Sequence, residues 1–192
     1  SNPAVLQAQQ PVRIGESSQG GVSRSMQVES AELIAQDVLR VRLKAPDGRD
    51  LPRWTPGSHI DLQCGDTGIS RQYSLCGDPA EADVYEIAVL REDASRGGSA
   101  WVHSTLQPGM KLQMRGPRNH FKLDETAKQL ILVAGGIGIT PIAAMAARAK
   151  TLGISYEIHY SCSQRQRMAL LQQLQAEHGD KLHTYVGGEG QR

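Results

Sequence analysis

The chain has 192 residues, 39% of them hydrophobic, and a net charge of +1 at neutral pH. That is apolar material for one good core or two small ones, and near-neutrality removes the electrostatic reason to expect nucleic acid or an anionic membrane surface as a partner. No apolar run approaches the ~20 residues needed to span a bilayer and the polar N-terminus lacks a signal-peptide core, so the expected setting is cytoplasmic.

Residues 1–21 are rich in Gln, Ser, Gly and Pro without a hydrophobic period and predict a flexible start. From residue 22 the pattern becomes short and strand-like: SRSMQVESAEL, DVLRVRLKA, GSHIDLQC, RQYSLCG, DVYEIAVLRE and MKLQMRG. Turn residues separate these runs, as in APDGRDLP and CGDTG. Six such strands in about 100 residues predict a small six-stranded antiparallel Greek-key barrel over 22–122. After Phe121 the texture changes. LILVA at 130–134 is continuously apolar, as in a parallel strand buried on both faces. TPIAAMAARAKTLG follows as a helix with Gly153 as its stop, then ISYEIHY as a strand, RMALLQQLQAEHG as a helix and KLHTYV as a third strand. The β-α-β-α-β order over 123–192 predicts part of a parallel-sheet nucleotide-binding domain. Three strands are half of the usual five or six, so the domain is expected to be partial and the chain truncated.

Three motifs bear chemistry. In RQYSL, strand alternation sets Arg71 and Tyr73 on one face, Gln72 and Ser74 on the other. In LILVAGGIGITPI, a buried strand ends in Gly135, Gly136 and Gly138, and a helix begins near Thr140 with Pro141 in its first turn. Glycines admit close backbone approach and a helix N-terminus offers unpaired N–H groups, which together suit a pyrophosphate. The loop departs from GxGxxG because Pro141 stands at the third glycine position, and a bare glycine turn is the competing reading. In REDASRGGSAWVH, Gly97 and Gly98 precede Ser99 at an expected helix N-cap, with Arg96 nearby. This suits a second phosphate and, alone, equally an ordinary capped turn. Cys64, Cys76 and Cys162 lie outside any CxxC and the histidines form neither HxH nor HExxH, so no disulfide framework and no metal site is expected.

RQYSL, GGS, the linking GPRNHFKL at 116–123 and AGGIGITPI occur in the order found in the ferredoxin-NADP reductase superfamily. The chain most resembles reductases of the phthalate dioxygenase reductase type, over roughly residues 22–192. The resemblance implies that Arg71 pairs with a flavin phosphate, that Tyr73 lies against the flavin ring, that Ser74 bonds near flavin N5, and that Leu75 of the same run belongs to the cofactor-binding residues. It implies that Gly97, Gly98 and Ser99 cradle the phosphate and that Ala88 and Val89 edge the flavin. On the same basis Gly136, Gly138, Thr140 and Pro141 form the nicotinamide cofactor loop, with Ser74 and Thr140 beside the reacting rings. One strand that supplies an aromatic, a hydroxyl and a cation meets a flavin's flat ring, polar edge and anionic tail.

The implied cofactors are FMN rather than FAD and NADH as reductant, although Arg165 and Arg167, after ISYEIHY, could instead contact a 2′-phosphate or be solvated. The implied function is an NADH-dependent flavoprotein reductase that passes electrons through FMN to an iron–sulfur centre and a Rieske-type oxygenase partner. A 2Fe-2S cluster would belong to a C-terminal ferredoxin domain outside these 192 residues. The alternative is a flavin-binding or partner-binding module without catalysis, because half of the nucleotide site is missing from the sequence.

Overall fold

The computed structural model describes residues 2–8, 22–93 and 97–187. In chain order the elements are β1 (Ala4–Ala8), β2 (Ser23–Ala35), β3 (Val38–Lys44), β4 (Ser58–Gln63), β5 (Ser70–Ser74), β6 (Val84–Leu90) and α1 (Gly98–Thr105). There follow β7 (Lys111–Asn119), β8 (Gln129–Gly135), α2 (Ile139–Leu152), β9 (Ser155–Cys162), α3 (Leu171–His178) and β10 (Leu182–Val186).

Strands β2 to β7 form one antiparallel sheet in the order β5-β4-β7-β2-β3-β6. A bridge from Cys76, just past β5, to Glu86 of β6 joins the two ends and rolls the sheet into a barrel. Alternation is the cause of the roll's dry interior: in β3, Val41 and Leu43 are fully buried while Arg40, Arg42 and Lys44 between them are not. Met26, Ile60, Leu62, Ile87 and Met114 complete that interior. Each such side chain removed from water contributes about 1.5–3 kcal/mol.

The second sheet is parallel, in the order β1-β8-β9-β10. Helix α2 covers one of its faces with Ile139, Ile142, Met145, Ala146 and Ala149, buried at helical spacing against Leu130, Leu132, Ala134, Ile158 and Tyr160. Gly153, at φ 71°, stops α2 where the sequence predicts.

Two expectations are corrected here. Ala4–Ala8 is not a flexible start but an edge strand, paired in parallel with Leu130–Ala134. Its neighbours 9–21 lie outside the described residues. The run LILVA is packed mainly on one face: Leu130, Leu132 and Ala134 are buried, whereas Ile131 and Val133 are half-buried.

The two sheets share their cores. Ala144 of α2 lies in the barrel's cluster, and Val38 and Ala88 of the barrel lie in the parallel sheet's cluster. The link between them is the GPRNHF segment. Asn119 donates through Nδ2 to Thr55 Oγ1 (2.8 Å) and Pro56 O (3.0 Å) and accepts from the Phe121 N–H (2.9 Å). The Arg118 guanidinium pairs with the Asp61 carboxylate, which is almost fully buried. That motif therefore fastens the chain to the barrel as it leaves for the second sheet.

Candidate functional site

The RQYSL strand is β5 and its continuation. Its register sets Arg71 across from Leu62, Tyr73 across from Ile60 and Ser74 across from His59. Arg71 and Tyr73 thus share a face and Ser74 has the other, as the alternation predicts. Leu75 is fully buried in the barrel core, its N–H donating to Ser58 O (2.9 Å).

Arg71 reaches the first turn of α1. A Cβ placed on Gly98 would lie 2.9 Å from Arg71 Cγ and 3.0 Å from Arg71 Nε, so only glycine allows the guanidinium stem to lie along this backbone. Nη1 donates to Ser70 O (3.0 Å), while Nη2 is buried and has no partner among the described residues. A buried guanidinium N–H without an acceptor is costly unless an anion meets it. Below, Cys64 directs its thiol at Gly98 O (3.8 Å). Burial pushes the Cys64 thiol up, opposed by Arg71, and pushes the Tyr73 phenol well up, with Cys64 and Glu92 adding and Arg71 opposing. Cation, neutral aromatic and helix N-terminus therefore converge at one place.

Helix α1 corrects the expected cap. Its N-cap is Gly97, at φ 98°, and Ser99 lies inside the first turn. Ser99 Oγ accepts instead from the Glu92 N–H (2.9 Å), tying α1 to the chain leaving β6. His103 adds a second tie, its ring nitrogen 2.7 Å from Val89 O. Arg96 lies outside the described residues. Ala88 and Val89 are both buried, Ala88 in the parallel-sheet cluster and Val89 in the barrel cluster, so their side chains serve packing.

On the second sheet, β8 ends at Gly135. Gly136, at φ 56°, opens a short 3₁₀ turn to Gly138, the N-cap of α2. The left-handed backbone at Gly136 is what turns the strand into the helix within three residues. Thr140 is 4% exposed with its hydroxyl donating to Ile137 O (3.2 Å), and Pro141 is buried in the same first turn.

A cleft of about 450 Å³ opens over the C-terminal ends of the parallel strands. Gly135 and Gly136 line it from β8, Ser161 to Ser163 from β9, Tyr185 and Gly187 from β10, with Val38 and Leu90 of the barrel as the opposite wall. Open parallel sheets take their ligands outside the carboxyl ends of their strands. Two residues that the sequence did not single out border these sites. His59, across from Ser74, is held below its ordinary pKa chiefly by burial, and its Nε2 is buried without a partner among the described residues. Asp37, at the β2–β3 turn, pairs with Arg167 in the cleft wall at 2.8 Å.

The chain is similar in sequence and fold to known proteins. Residues 25–123, about half of the chain, match the family described as the oxidoreductase FAD-binding domain. Phthalate dioxygenase reductase, described as modular for electron transfer from pyridine nucleotides to [2Fe-2S], superposes with TM-score 0.82 at 33% identity, covering 88% of this chain and 53% of that one. The chain belongs to the ferredoxin-NADP reductase superfamily, of the phthalate dioxygenase reductase type.

Other proteins show higher sequence identity. The phenoxybenzoate dioxygenase subunit beta of Ectopseudomonas oleovorans is 44% identical over 166 residues, which is 86% of this chain and 51% of that protein. An intact type IV self-sufficient cytochrome P450 monooxygenase is 51% identical with TM-score 0.86, over 95% of this chain and 24% of that one. The chain spans about half the length of the curated relatives it matches.

Proposed function

We propose that this chain holds a flavin between its barrel and its parallel sheet, receives electrons from a nicotinamide dinucleotide in the cleft, and delivers them to an oxygenase. The observation that bears most weight is the buried Nη2 of Arg71, without a partner among the described residues, beside Gly98 at the start of α1. A flavin's terminal phosphate supplies the acceptor this nitrogen lacks, and the α1 N-terminus adds N–H donors of the right sign. The donor set therefore fits the group.

A bound flavin accepts a hydride and releases electrons one at a time, the property that connects a two-electron donor to one-electron acceptors. The protein's part is placement. Arg71, Gly97, Gly98 and Ser99 hold the anionic end. Tyr73, its phenol pushed further above the ordinary tyrosine value by burial, offers a neutral ring, and Ser74 offers a hydroxyl from the opposite side of the strand end. The Gly136–Gly138 turn and the α2 N-terminus hold the dinucleotide's pyrophosphate, and Thr140 lies next to that turn. No side chain has to remove a proton.

The finer assignment is FMN rather than FAD, NADH as the reductant, and an iron–sulfur centre carried elsewhere that relays electrons to a Rieske-type oxygenase. The naming of several relatives as oxygenase reductases supports an oxygenase as final acceptor. The 51% identity to a self-sufficient cytochrome P450 favours a second reading, in which that acceptor is a haem. Release of the chromophore from purified protein followed by its mass distinguishes FMN, FAD and no flavin. Anaerobic NADH should then bleach the visible absorbance within a mixing time. Protein that is colourless and fails to take up added flavin overturns the proposal, and protein that stays yellow under NADH reduces it to a binding module.

A further inference from the structure

We infer that Asp37, a residue of the flavin barrel, decides which dinucleotide enters the cleft by cancelling the charge of Arg167. The inference rests on the dinucleotide cleft proposed above. In doubly wound sheets the choice is made just beyond the second strand: an acidic residue there takes the ribose 2′-hydroxyl, whereas an arginine accommodates a 2′-phosphate. Here the second strand is β9, and Ser163 to Arg167 follow it with two arginines and no acid. Taken alone this end of the sheet should reward a phosphorylated ribose.

Across the domain junction the missing acid is supplied. Arg167 is in the cleft wall, and its Nη2 donates to Asp37 Oδ2 at 2.8 Å, 130 residues away in the chain. Two backbone hydrogen bonds and the turn's own conformation hold the carboxylate at that lip. The Gln36 N–H donates to Gln166 O (2.8 Å), the Arg91 N–H donates to Asp37 O (2.7 Å), and Asp37 itself occupies the left-handed region at φ 61°. Asp37 and Arg167 have side-chain exposures of 32% and 38%, so water only partly screens their interaction. A 2′-phosphate arriving beside Arg167 meets a guanidinium already neutralised and a carboxylate that repels it. An unphosphorylated ribose meets neither penalty. The pair thus works as a repulsive element against NADPH rather than as an attraction for NADH.

Asp37→Asn tests this directly, because asparagine tolerates the left-handed region as aspartate does and keeps the turn intact. The probes are 2′-AMP and 5′-AMP, and NADP⁺ and NAD⁺, titrated into purified protein by calorimetry. In Asp37→Asn, 2′-AMP and NADP⁺ should bind about tenfold tighter, the effect of removing one facing charge at short range, while 5′-AMP and NAD⁺ stay within about twofold. Adding Arg167→Gln should abolish the gain. Unchanged 2′-AMP affinity in Asp37→Asn, with 5′-AMP still bound, overturns the inference and leaves the cleft assignment standing. So does a gain that survives Arg167→Gln. Failure of the parent protein to bind NAD⁺ at all overturns the cleft assignment and this inference together.

Discussion

At the scale of single residues, the flavin proposal depends on one guanidinium and the glycine beneath it. Arg71→Ala removes the charge-assisted donor that the described residues place at the phosphate seat, and loss of such a bond weakens binding by about 1.5–3 kcal/mol, or roughly ten- to a hundredfold. Equilibrium dialysis against FMN should show that loss with the far-UV spectrum unchanged; equal FMN affinity in Arg71→Ala rules out this seat. Gly98→Ala should produce a similar loss through the stem of the same side chain, since the added methyl would sit within 3.0 Å of Arg71 Cγ and Nε. Thr140→Ala should slow flavin reduction by NADH while leaving FMN affinity unaltered, because Thr140 belongs to the α2 turn and not to the Arg71 seat. Arg71, Tyr73 and the glycine loop were legible in the sequence because each is a local motif whose residue types carry their own chemistry. Asp37 was not, because its pairing with Arg167 exists only once residues 130 positions apart meet.

At the scale of elements, short-range patterns predicted the six barrel strands and the β-α-β-α-β run closely, since each buries one face against a core. Strand β1 escaped because AVLQA is five residues long, two of them alanine, and takes its strand form from β8 rather than from its own composition. The cap of α1 was assigned two residues late for a tertiary reason: Ser99 Oγ is engaged by the Glu92 N–H, leaving Gly97 to make the left-handed entry. The last turn of α3 carries a pH dependence. His178 is almost fully buried with Nδ1 2.6 Å from the Tyr156 hydroxyl, and burial, helped by Lys150 and Lys181, holds it below the ordinary value of 6.5. The folded state therefore binds this proton less readily than the unfolded chain, and stability is lost as pH falls through 6.5 toward the lower folded value. Melting temperature should drop between about pH 7.5 and pH 5.5, and His178→Gln should flatten that part of the profile. An equal drop in the variant would assign the effect elsewhere.

At the scale of the whole molecule, the exchange of side chains between the two cores predicts joint unfolding. Ala144 is 2% exposed in the barrel cluster although it belongs to α2, and Val38 and Ala88 return the contact. Far-UV circular dichroism, which sees both sheets, and tryptophan emission should give coincident melting curves. Ala144→Glu would bury an unpaired carboxylate at the junction and should lower both midpoints together, by several degrees or more. Two separated transitions in the parent protein would show that the sheets melt independently. The placement of the two tryptophans gives this molecule an optical asymmetry. Trp54 and Trp101 both belong to the barrel, and Trp101 rides on α1 with its indole against Gly65, within the same helix whose first turn receives Arg71. Tryptophan emission thus originates only on the side of the proposed pigment, close enough for energy transfer to it. Loading FMN should dim that emission, whereas oxidised NAD⁺ added alone, which absorbs nothing in the emission band, should leave it bright.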